Sequence, residues 1–440
     1  MSDGAKGNEQ HNIEEDVGDQ EEGPIDEDTS TKRKKYRVVR DDFIQRKPRS
    51  TIKAVWLKLD KKLTPFLNNH YIRVVILILA LYFFIVGIKT MGGGFKDMGK
   101  GFSEGLIATA SNPLVGLFIG ILATSVIQSS SATTSMVVGM VAAEPDFLPL
   151  AIPMIIGANI GTSVTNMIVS FGHVTRGTEF ERAFSGAVVH DFFNVIAASI
   201  LFPVEVITQY FWDGRGLLQR LSTMLAERFV GSAGVGKFTL INDLVRPIEH
   251  PIREFSKSAS IEWLSVIIGL IFLFVALKYI TSSMRILIEG KLQVILSKYL
   301  FKTSYISFIF GIGLTALVQS SSITTSLVVP LVGGGVLTVE QIFPYTLGAN
   351  IGTTVTALLA AFVEWGSTTD EAGAIAALSI AFAHLLFNTI AIAIIYPFKK
   401  LPIGMAKRLG GYVAKNKKMA VIYILIAFYI IPGLIILILR

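Results

Sequence analysis

Two clusters of polar side chains interrupt apolar stretches of this sequence, and each reads Gln-Ser-Ser-Ser. Each cluster is followed, 31 residues after its glutamine, by the asparagine of a Gly-Ala-Asn-Ile-Gly-Thr motif. Neutral oxygen atoms suit a hard, weakly polarising cation, whereas hydroxyl and N–H groups suit a tetrahedral oxyanion. The hydroxyl groups belong to Ser129, Ser130, Ser131, Thr162, Ser163, Ser320, Ser321, Ser322, Thr353 and Thr354, and the carboxamides belong to Gln128, Asn159, Gln319 and Asn350.

The two clusters are copies of one motif at a long offset. Gln128 and Gln319 lie 191 residues apart, and so do Asn159 and Asn350. Matched motifs at a single offset indicate an internal repeat. Two further pairs of segments match at similar offsets, namely 83–89 with 272–278 and 190–194 with 384–388. We therefore predict two transmembrane repeat units, which cover residues 71–203 and 261–397.

The composition predicts an all-α polytopic membrane protein. The chain of 440 residues is 51% hydrophobic and only 17% charged, whereas a soluble domain carries about a quarter charged residues. Apolar stretches near or above the ~20 residues that span a bilayer are candidate transmembrane helices. These stretches are 71–91, 147–170, 183–203, 261–284, 342–363, 374–397 and 419–439.

Two other apolar stretches, 112–143 and 303–336, have a Gln-Ser-Ser-Ser cluster at their centre. Each half is too short to cross a bilayer, and irregular backbone at membrane depth must be buried in protein or line a cavity. We interpret both stretches as re-entrant hairpins. The glycines of the second motif predict a broken helix within spans 147–170 and 342–363. Because three spans separate the hairpins, the repeats have opposite orientations, and inverted repeats with broken helices are typical of secondary transporters.

The charged residues predict the topology. Residues 1–28 carry eleven acidic side chains and residues 32–62 are strongly basic. We expect a cytoplasmic tail over 1–70 that is acidic and disordered first and basic next to the membrane. Counting spans from a cytoplasmic N-terminus predicts an extracellular loop over 204–260, then a basic cytoplasmic loop and a C-terminal span within 398–440. The net charge of +7 fits basic cytoplasmic loops and does not indicate a nucleic acid partner.

Several residues have more than one interpretation. The Gly-x-x-x-Gly pairs within the glycine motifs also serve close helix packing. The cluster serines do not stand in a Gly-x-Ser-x-Gly elbow, so they do not indicate a hydrolase, and the chain has no cysteine for a thiolate site. His190 and His384 fit either proton relay or hydrogen bonding between helices. Asp191 is the one acid well inside a span, a position where acids are usually functional.

At these residues the sequence resembles the type II sodium-phosphate cotransporters, over about 71–203 and 261–439. The matching motifs are both Gln-Ser-Ser-Ser clusters, the run Gly-Ala-Asn-Ile-Gly-Thr-Ser-Val-Thr-Asn, Thr-Glu-Phe at 178–180 and Val-His-Asp-Phe-Phe-Asn at 189–194. The resemblance implies Na⁺-coupled symport of inorganic phosphate into the cell, without a cofactor. It also implies a homodimer in the plasma membrane, in which a transport domain moves against a scaffold in alternating access of the elevator type.

The resemblance further implies which residues hold each ion. We assign sodium to Gln319, Ser320, Thr353, Thr356, Asn350 and Gln128. We assign phosphate to Ser129, Ser130, Ser131, Thr162, Ser163, Ser320, Ser321 and Ser322. Asn159, Asp191 and Arg176 complete the candidate set.

Two departures of this sequence from the family pattern bear on its expected transport cycle and on residues 204–260. Family members that move net charge carry Ala-Gly-Asp after the first broken helix, where this chain has Val174-Thr175-Arg176. We therefore expect electroneutral transport, with two Na⁺ for each divalent phosphate. Residues 204–260 have neither a cysteine nor an Asn-x-Ser/Thr sequon, so we expect them to lack the disulfide-linked, glycosylated structure of the animal proteins.

Other functions stay open at this point. The same architecture serves another oxyanion, such as sulfate or arsenate, or a dicarboxylate. A non-transporting membrane receptor or scaffold could use the charged tail to recruit partners, although polar hairpins buried in a membrane have no evident purpose there.

Overall fold

A computed structural model describes residues 69–99, 112–236, 239–298 and 303–439. The predicted cytoplasmic tail over 1–70 therefore lies almost wholly outside the described residues. Helices make up nearly all of the described chain, which contains no strand. The α-helices are α1 His70–Asp97, α2 Pro113–Ile127, α3 Ser130–Ala143, α4 Leu148–Gly161, α5 Ser163–Ser170, α6 Gly177–Phe211, α7 Leu217–Ala233, α8 Thr239–Ser258, α9 Trp263–Lys298, α10 Ser304–Val318, α11 Ser321–Gly333, α12 Val339–Ser367, α13 Glu371–Ile395, α14 Lys400–Lys415, α15 Lys418–Leu425 and α16 Ile431–Leu439.

Seven helical stretches of the described chain are long and apolar enough to cross a membrane. Each coincides with one of the seven predicted spans, which confirms the all-α polytopic prediction. The chain is thus a multi-pass membrane protein. The stretches are Tyr71–Asp97, Pro145–His173, Gly177–Phe211, Trp263–Met284, Val339–Ser367, Glu371–Phe398 and Lys418–Leu439.

Four shorter apolar helices form two hairpins, α2 with α3 and α10 with α11. In the first hairpin, Thr124 Oγ1 lies 3.0 Å from Thr133 Oγ1, nine residues later. The second hairpin brings Thr315 Oγ1 within 2.8 Å of Thr324 Oγ1. A continuous helix rises about 1.5 Å per residue and would hold such pairs far apart, so the chain reverses at each Gln-Ser-Ser-Ser cluster. Entry and exit by one membrane face stay a prediction.

The glycine motifs bring each hairpin close to a partner helix. Helix α2 packs on α4, and α10 packs on α12. A Cβ atom at Gly157 would clash with the carbonyl oxygen of Leu117, and one at Gly348 would clash with that of Phe308. The packing interpretation of the Gly-x-x-x-Gly pairs therefore applies to these glycines.

The prediction of a broken helix in each repeat is wrong for the second repeat. Helix α12 runs without interruption through Gly348 and Gly352. In the first repeat α4 and α5 part at Thr162, whose backbone angles, φ −60° and ψ −29°, are still those of a right-handed helix. Glycine at a packing contact removes a Cβ atom without opening the helix, because an intact hydrogen-bond ladder is strongly favoured in hydrocarbon.

Residues 204–260, which we predict to form an extracellular connection between the repeats, are largely helical. Helix α6 continues past the predicted repeat boundary at 203, and α7 and α8 follow it. Glu205 is fully buried, and its carboxylate accepts hydrogen bonds from the backbone N–H groups of Leu218 and Gln219 at 2.6 and 3.2 Å. This acid satisfies free donors at the start of α7 and so joins that helix to α6. The membrane side of the segment stays a prediction.

Candidate functional site

Gln128 and Gln319 end helices α2 and α10 in the same uncommon conformation. Their φ angles are 59° and 57°, in the left-handed region that costs a residue with a Cβ atom about 1–2 kcal/mol. Each carboxamide Nε2 donates to a carbonyl oxygen three residues earlier, that of Ser125 or Ala316. Those carbonyls lack partners within the helix, so the glutamine side chain satisfies the helix end and offers Oε1 to the neighbouring helix.

Each glutamine side chain accepts a hydrogen bond from the threonine that lies 37 residues later in the chain. Thr165 Oγ1 donates to Gln128 Oε1 at 2.7 Å, and Thr356 Oγ1 donates to Gln319 Oε1 at 2.8 Å. These matched bonds hold each hairpin tip against its partner helix, α5 or α12. Thr356 belongs to the predicted sodium set, whereas its counterpart Thr165 does not.

A further bond joins the two repeats at the tips. Ser131 Oγ of the first tip donates to the backbone oxygen of Gln319 at 3.0 Å, and Thr356 Oγ1 lies 3.3 Å from Ser131 Oγ. Four neutral oxygen atoms therefore lie close together, and we call them the cation cluster. They are Ser131 Oγ, Thr356 Oγ1, and the backbone oxygen and Oε1 of Gln319. Among the described residues no group of three or more His, Cys, Asp or Glu side chains could hold a metal ion. The donor set that does occur suits a hard cation of low charge.

The Gln-Ser-Ser-Ser clusters at the tips of the two hairpins line one cavity of about 410 Å³, which we call the tip cavity. Ser129 and Ser320 cap the N-termini of α3 and α11 there, and helix N-termini favour anions. Ser322 also lines the cavity, is only 4% exposed, and its hydroxyl has no hydrogen-bond partner among the described residues. Helix α9 forms the opposite wall, and the residues that it contributes are Phe274, Leu277, Lys278, Thr281 and Ser282.

Several predicted ligands do not line this cavity. Thr162 Oγ1 and Thr353 Oγ1 each donate to a carbonyl oxygen of the preceding turn of their own helix, at 2.9 Å. Thr353 nevertheless lies one turn before Thr356 on α12, next to the cation cluster. The other four predicted phosphate ligands are also buried and do not line the cavity; they are Ser130, Ser131, Ser163 and Ser321.

Asn159 and Asn350 form crossed hydrogen bonds between the repeats. His384 Nε2 of α13 donates to Asn159 Oδ1 at 3.2 Å, and His190 Nε2 of α6 bonds to Asn350 Oδ1. Asn350 Nδ2 also donates to Asn194 Oδ1 at 2.8 Å. All five side chains are buried. The histidines therefore join helices, and Asn350 is not placed to bind sodium at the tips.

Asp191 lies away from the tip cavity. Its side chain is fully buried, and Oδ2 accepts a hydrogen bond from Tyr423 Oη at 2.5 Å. The carboxyl group borders a second, largely apolar cavity of about 300 Å³ beside the C-terminal helices. Asp191 thus holds α15 against the first repeat and borders this second cavity rather than the cavity between the hairpin tips.

A charged cluster lies beside α1. Lys89 Nζ pairs with Glu364 Oε2 of α12 at 3.2 Å, and both side chains are largely buried. Lys96 Nζ pairs with Asp370 Oδ2 at 3.1 Å. Burial alone would raise the pKa of Asp370, but hydrogen bonds from the Gly373 N–H and from Lys96 outweigh it and lower that pKa below its ordinary value. Asp370 is therefore ionised at neutral pH, and its pair with Lys96 is partly exposed.

Comparison with known families decides the class of the protein. The profile of a family described as Na⁺/Pi-cotransporter matches residues 83–200 and 257–413. The chain belongs to this family. The two matched segments cover most of the predicted repeats and carry both Gln-Ser-Ser-Ser clusters.

Individual relatives agree with the family match. Sodium-dependent phosphate transport protein 2B of Homo sapiens is 32% identical over 456 residues, which cover 82% of this chain and 64% of the human protein. Sodium-dependent phosphate transport protein 2A of Mus musculus is 32% identical over 446 residues, or 86% of this chain and 69% of the mouse protein. The chain thus spans about two thirds of the length of these relatives, which are named as transporters and not as enzymes. No solved structure matches the chain.

Two residues of the site were missed in the sequence. Thr165 stands 191 positions before Thr356, so the repeat offset alone could have found it. Lys278 ends the segment 272–278, which matches 83–89. That match gave no sign that α9 would face the hairpin tips, because the contact is formed only in the tertiary structure.

Proposed function

We propose that this protein is a Na⁺-coupled symporter of inorganic phosphate into the cell. The observation that carries the proposal is the meeting of both Gln-Ser-Ser-Ser tips at one cavity, bridged by Ser131 and the Gln319 carbonyl oxygen 3.0 Å away. Membership of the Na⁺/Pi-cotransporter family supports it. The names of the human and mouse relatives point to the same ions.

In this proposal sodium lies among neutral oxygens at the second tip. Gln319, Thr356 and Ser131 supply these oxygens. Ser320 follows Gln319 in the chain, and Thr353 lies one helical turn before Thr356. A desolvated Na⁺ exchanges water oxygens for hydroxyl, carbonyl and carboxamide oxygens. The cation replaces the present hydrogen bonds, because each of these oxygens has lone pairs to offer it.

Phosphate lies in the tip cavity, against Ser129, Ser320 and Ser322 and the N-termini of α3 and α11. These helices and their partners supply no basic side chain, so a bare anion at membrane depth would carry a large desolvation cost. Bound Na⁺ next to the cavity offsets that charge. Each ion therefore favours binding of the other, which is the physical basis of coupled transport.

An asymmetry between the repeats supports our proposal of alternating access of the elevator type. Lys89 and Lys278 hold matching positions in the segments 83–89 and 272–278. Lys278 adjoins the tip cavity, whereas Lys89 pairs with Glu364 near Ala142, at the end of α3 far from its tip. When the two copies of an inverted repeat have different conformations, the protein has a second state in which each copy adopts the conformation of the other. In that state the hairpins shift relative to α1 and α9.

We further propose that the protein forms a homodimer in the plasma membrane and that its N-terminus lies in the cytoplasm. Transport is electroneutral, because Arg176, whose guanidinium pairs with Glu179 at 3.1 Å, stands where charge-moving relatives have an acid. Two Na⁺ then accompany one divalent phosphate.

Uptake of radiolabelled phosphate into proteoliposomes tests the function. A Na⁺ gradient should drive accumulation above the external concentration, and replacing Na⁺ with choline should abolish it. Uptake that is insensitive to this replacement would exclude the sodium-coupled mechanism.

One observation favours a second candidate, transport of another oxyanion such as sulfate. No acidic side chain lines the tip cavity within the described chain, so no carboxylate accepts the proton that distinguishes hydrogen phosphate from sulfate. Competition decides between them. A tenfold excess of sulfate should leave phosphate uptake unchanged if phosphate is the substrate, and sulfate should inhibit it if the site is a general oxyanion site.

A further inference from the structure

Lys278 is a basic residue in the lining of the tip cavity. It lies on α9, facing Ser129 of the first tip and Ser320 and Ser322 of the second across that cavity. The lysine is exposed, and it has no ion pair with any residue that the structure describes. No other Lys, Arg or His lines the cavity within the described chain.

The matching residue of the first repeat has a different environment. Lys89 lies 3.2 Å from Glu364, and both side chains are largely buried. An ammonium group in or near hydrocarbon needs a compensating charge, and Glu364 supplies it for Lys89. Lys278 has no protein carboxylate for the same purpose among the described residues.

Ser322 supplies a hydrogen-bond donor on the wall of the cavity opposite Lys278. Ser322 is 4% exposed, lines the same cavity and lacks a hydrogen-bond partner among the described residues. Its hydroxyl oxygen is accessible from the cavity rather than fully enclosed by protein, so it is free to donate a hydrogen bond to a ligand there. An oxyanion between α9 and the tips would accept hydrogen bonds from Ser322 and from the ammonium group of Lys278.

We propose that Lys278 is a ligand of the transported oxyanion and supplies the positive charge that the hairpins lack. This inference rests on the proposed function and adds a binding residue to it. A lysine ammonium is a compact charge on a flexible stem, so it attracts phosphate without imposing a fixed geometry. The ammonium group interacts with the negative charge of the anion and does not detect whether the anion carries a proton. It therefore strengthens the binding of phosphate and of sulfate alike.

The position of Lys278 on α9, rather than on a hairpin, has a consequence for the transport cycle. When the hairpins shift relative to α9, the anion leaves the reach of this lysine. Phosphate is then held more weakly on that side of the membrane, which favours release. The alternative role of Lys278 is to extend along apolar surface to the headgroup region, as lysines near membrane interfaces do.

Binding of inorganic phosphate to the purified full chain in NaCl distinguishes these roles. Calorimetric titration is run on the wild type and on Lys278→Gln, Lys278→Arg and Lys400→Gln, the last of which removes a charge from an exposed lysine on α14. We expect Lys278→Gln to weaken phosphate affinity about tenfold, Lys278→Arg to stay within about threefold, and Lys400→Gln to match the wild type. Wild-type affinity in Lys278→Gln overturns the proposal.

Two further measurements keep the test decisive. If Lys278→Gln does not fold, acetylation of Lys278 in the wild type is followed by mass spectrometry with and without phosphate. Slower acetylation with phosphate supports the proposal, and an unchanged rate overturns it. If the wild type takes up no phosphate with Na⁺, the proposed function fails, and sulfate replaces phosphate in both assays. Protection of Lys278 by sulfate then sustains the oxyanion ligand, and its absence rejects it.

Discussion

Ser131 Oγ donates a 3.0 Å hydrogen bond to the carbonyl oxygen of Gln319, and this bond joins the tip of one repeat to the tip of the other. Gln319 is held in a left-handed conformation, which turns its carbonyl group out of the end of α10. Thr356 reaches the same point from α12. A cation at this point would be bound by both repeats and by both a hairpin and its partner helix, so its binding would stabilise one arrangement of the tips.

Ser131→Ala should lower the apparent affinity of transport for Na⁺ about tenfold, because it removes one oxygen from the proposed cation site and one bond between the tips. Sodium-dependent phosphate uptake into proteoliposomes, measured over a range of Na⁺ concentrations, gives this affinity. Ser199→Ala is the control, since Ser199 Oγ bonds only to the Val195 carbonyl oxygen of its own helix. An unchanged Na⁺ dependence in Ser131→Ala would remove Ser131 from the site.

Thr356→Val and Thr165→Val form a matched pair that tests the asymmetry between the repeats. Both threonines bond to a glutamine Oε1, but only Thr356 also lies near Ser131 Oγ, at 3.3 Å. We expect Thr356→Val to weaken Na⁺ dependence more than Thr165→Val does, by about an order of magnitude. The same uptake assay measures both. Equal effects would place sodium at both tips and contradict a single bridged site.

Much of this architecture could be predicted from the sequence, because it depends on patterns that survive without tertiary context. Apolar length predicted all seven spans. The Gln-Ser-Ser-Ser clusters marked both chain reversals, since polar residues at the centre of an apolar stretch cannot face lipid. The 191-residue offset paired the hairpins and their partner helices correctly.

Other features required the tertiary structure. The carboxamide of Asn350 has the chemistry of a sodium ligand, but its bonds to His190 and Asn194 are made across the repeat boundary. Asp191 was recognised as a membrane acid, yet its partner Tyr423 lies 232 residues away. The motif glycines of α12 do not break this helix and instead permit close packing. Each of these residues has chemistry that suits two roles, and its neighbours in the tertiary structure favour one of them.

Gly157→Ala and Gly348→Ala should each prevent correct folding, because the added Cβ atom would overlap a backbone carbonyl oxygen of the packed hairpin. A carbonyl oxygen cannot move aside as a side chain can, so the helices must separate and lose close contact. Gly313→Ala is the control. Gly313 lies on α10, the hairpin helix that packs on α12, and nothing lies within 4 Å of its added Cβ atom. Size-exclusion chromatography of detergent extracts should show aggregates for the first two variants and a monodisperse peak for the third.

Lys89→Gln should lower the free energy of unfolding by about 3–5 kcal/mol, because it leaves the carboxylate of Glu364 buried without its partner. The double variant Lys89→Gln with Glu364→Gln should regain most of that loss. The matched control is Lys407→Gln, whose pair with Glu340 is about half exposed and contributes less than about 1 kcal/mol. Thermal unfolding in detergent micelles measures all three, and a double variant no more stable than Lys89→Gln would contradict the pairing argument.

Voltage-clamp recording tests the electroneutral cycle. Arg176 is 73% exposed and pairs with Glu179 Oε1 at 3.1 Å, and Glu179 Oε2 lies 3.1 Å from His173 Nδ1. The paired Arg176 offers no carboxylate to a further Na⁺, so phosphate at saturating Na⁺ should evoke no current while radiolabelled uptake proceeds. Replacing Val174-Thr175-Arg176 with Ala-Gly-Asp supplies a carboxylate and should produce an inward current with phosphate. A phosphate-dependent current in the unaltered protein would refute the electroneutral cycle, and Arg176→Gln, which supplies no carboxylate, should stay silent.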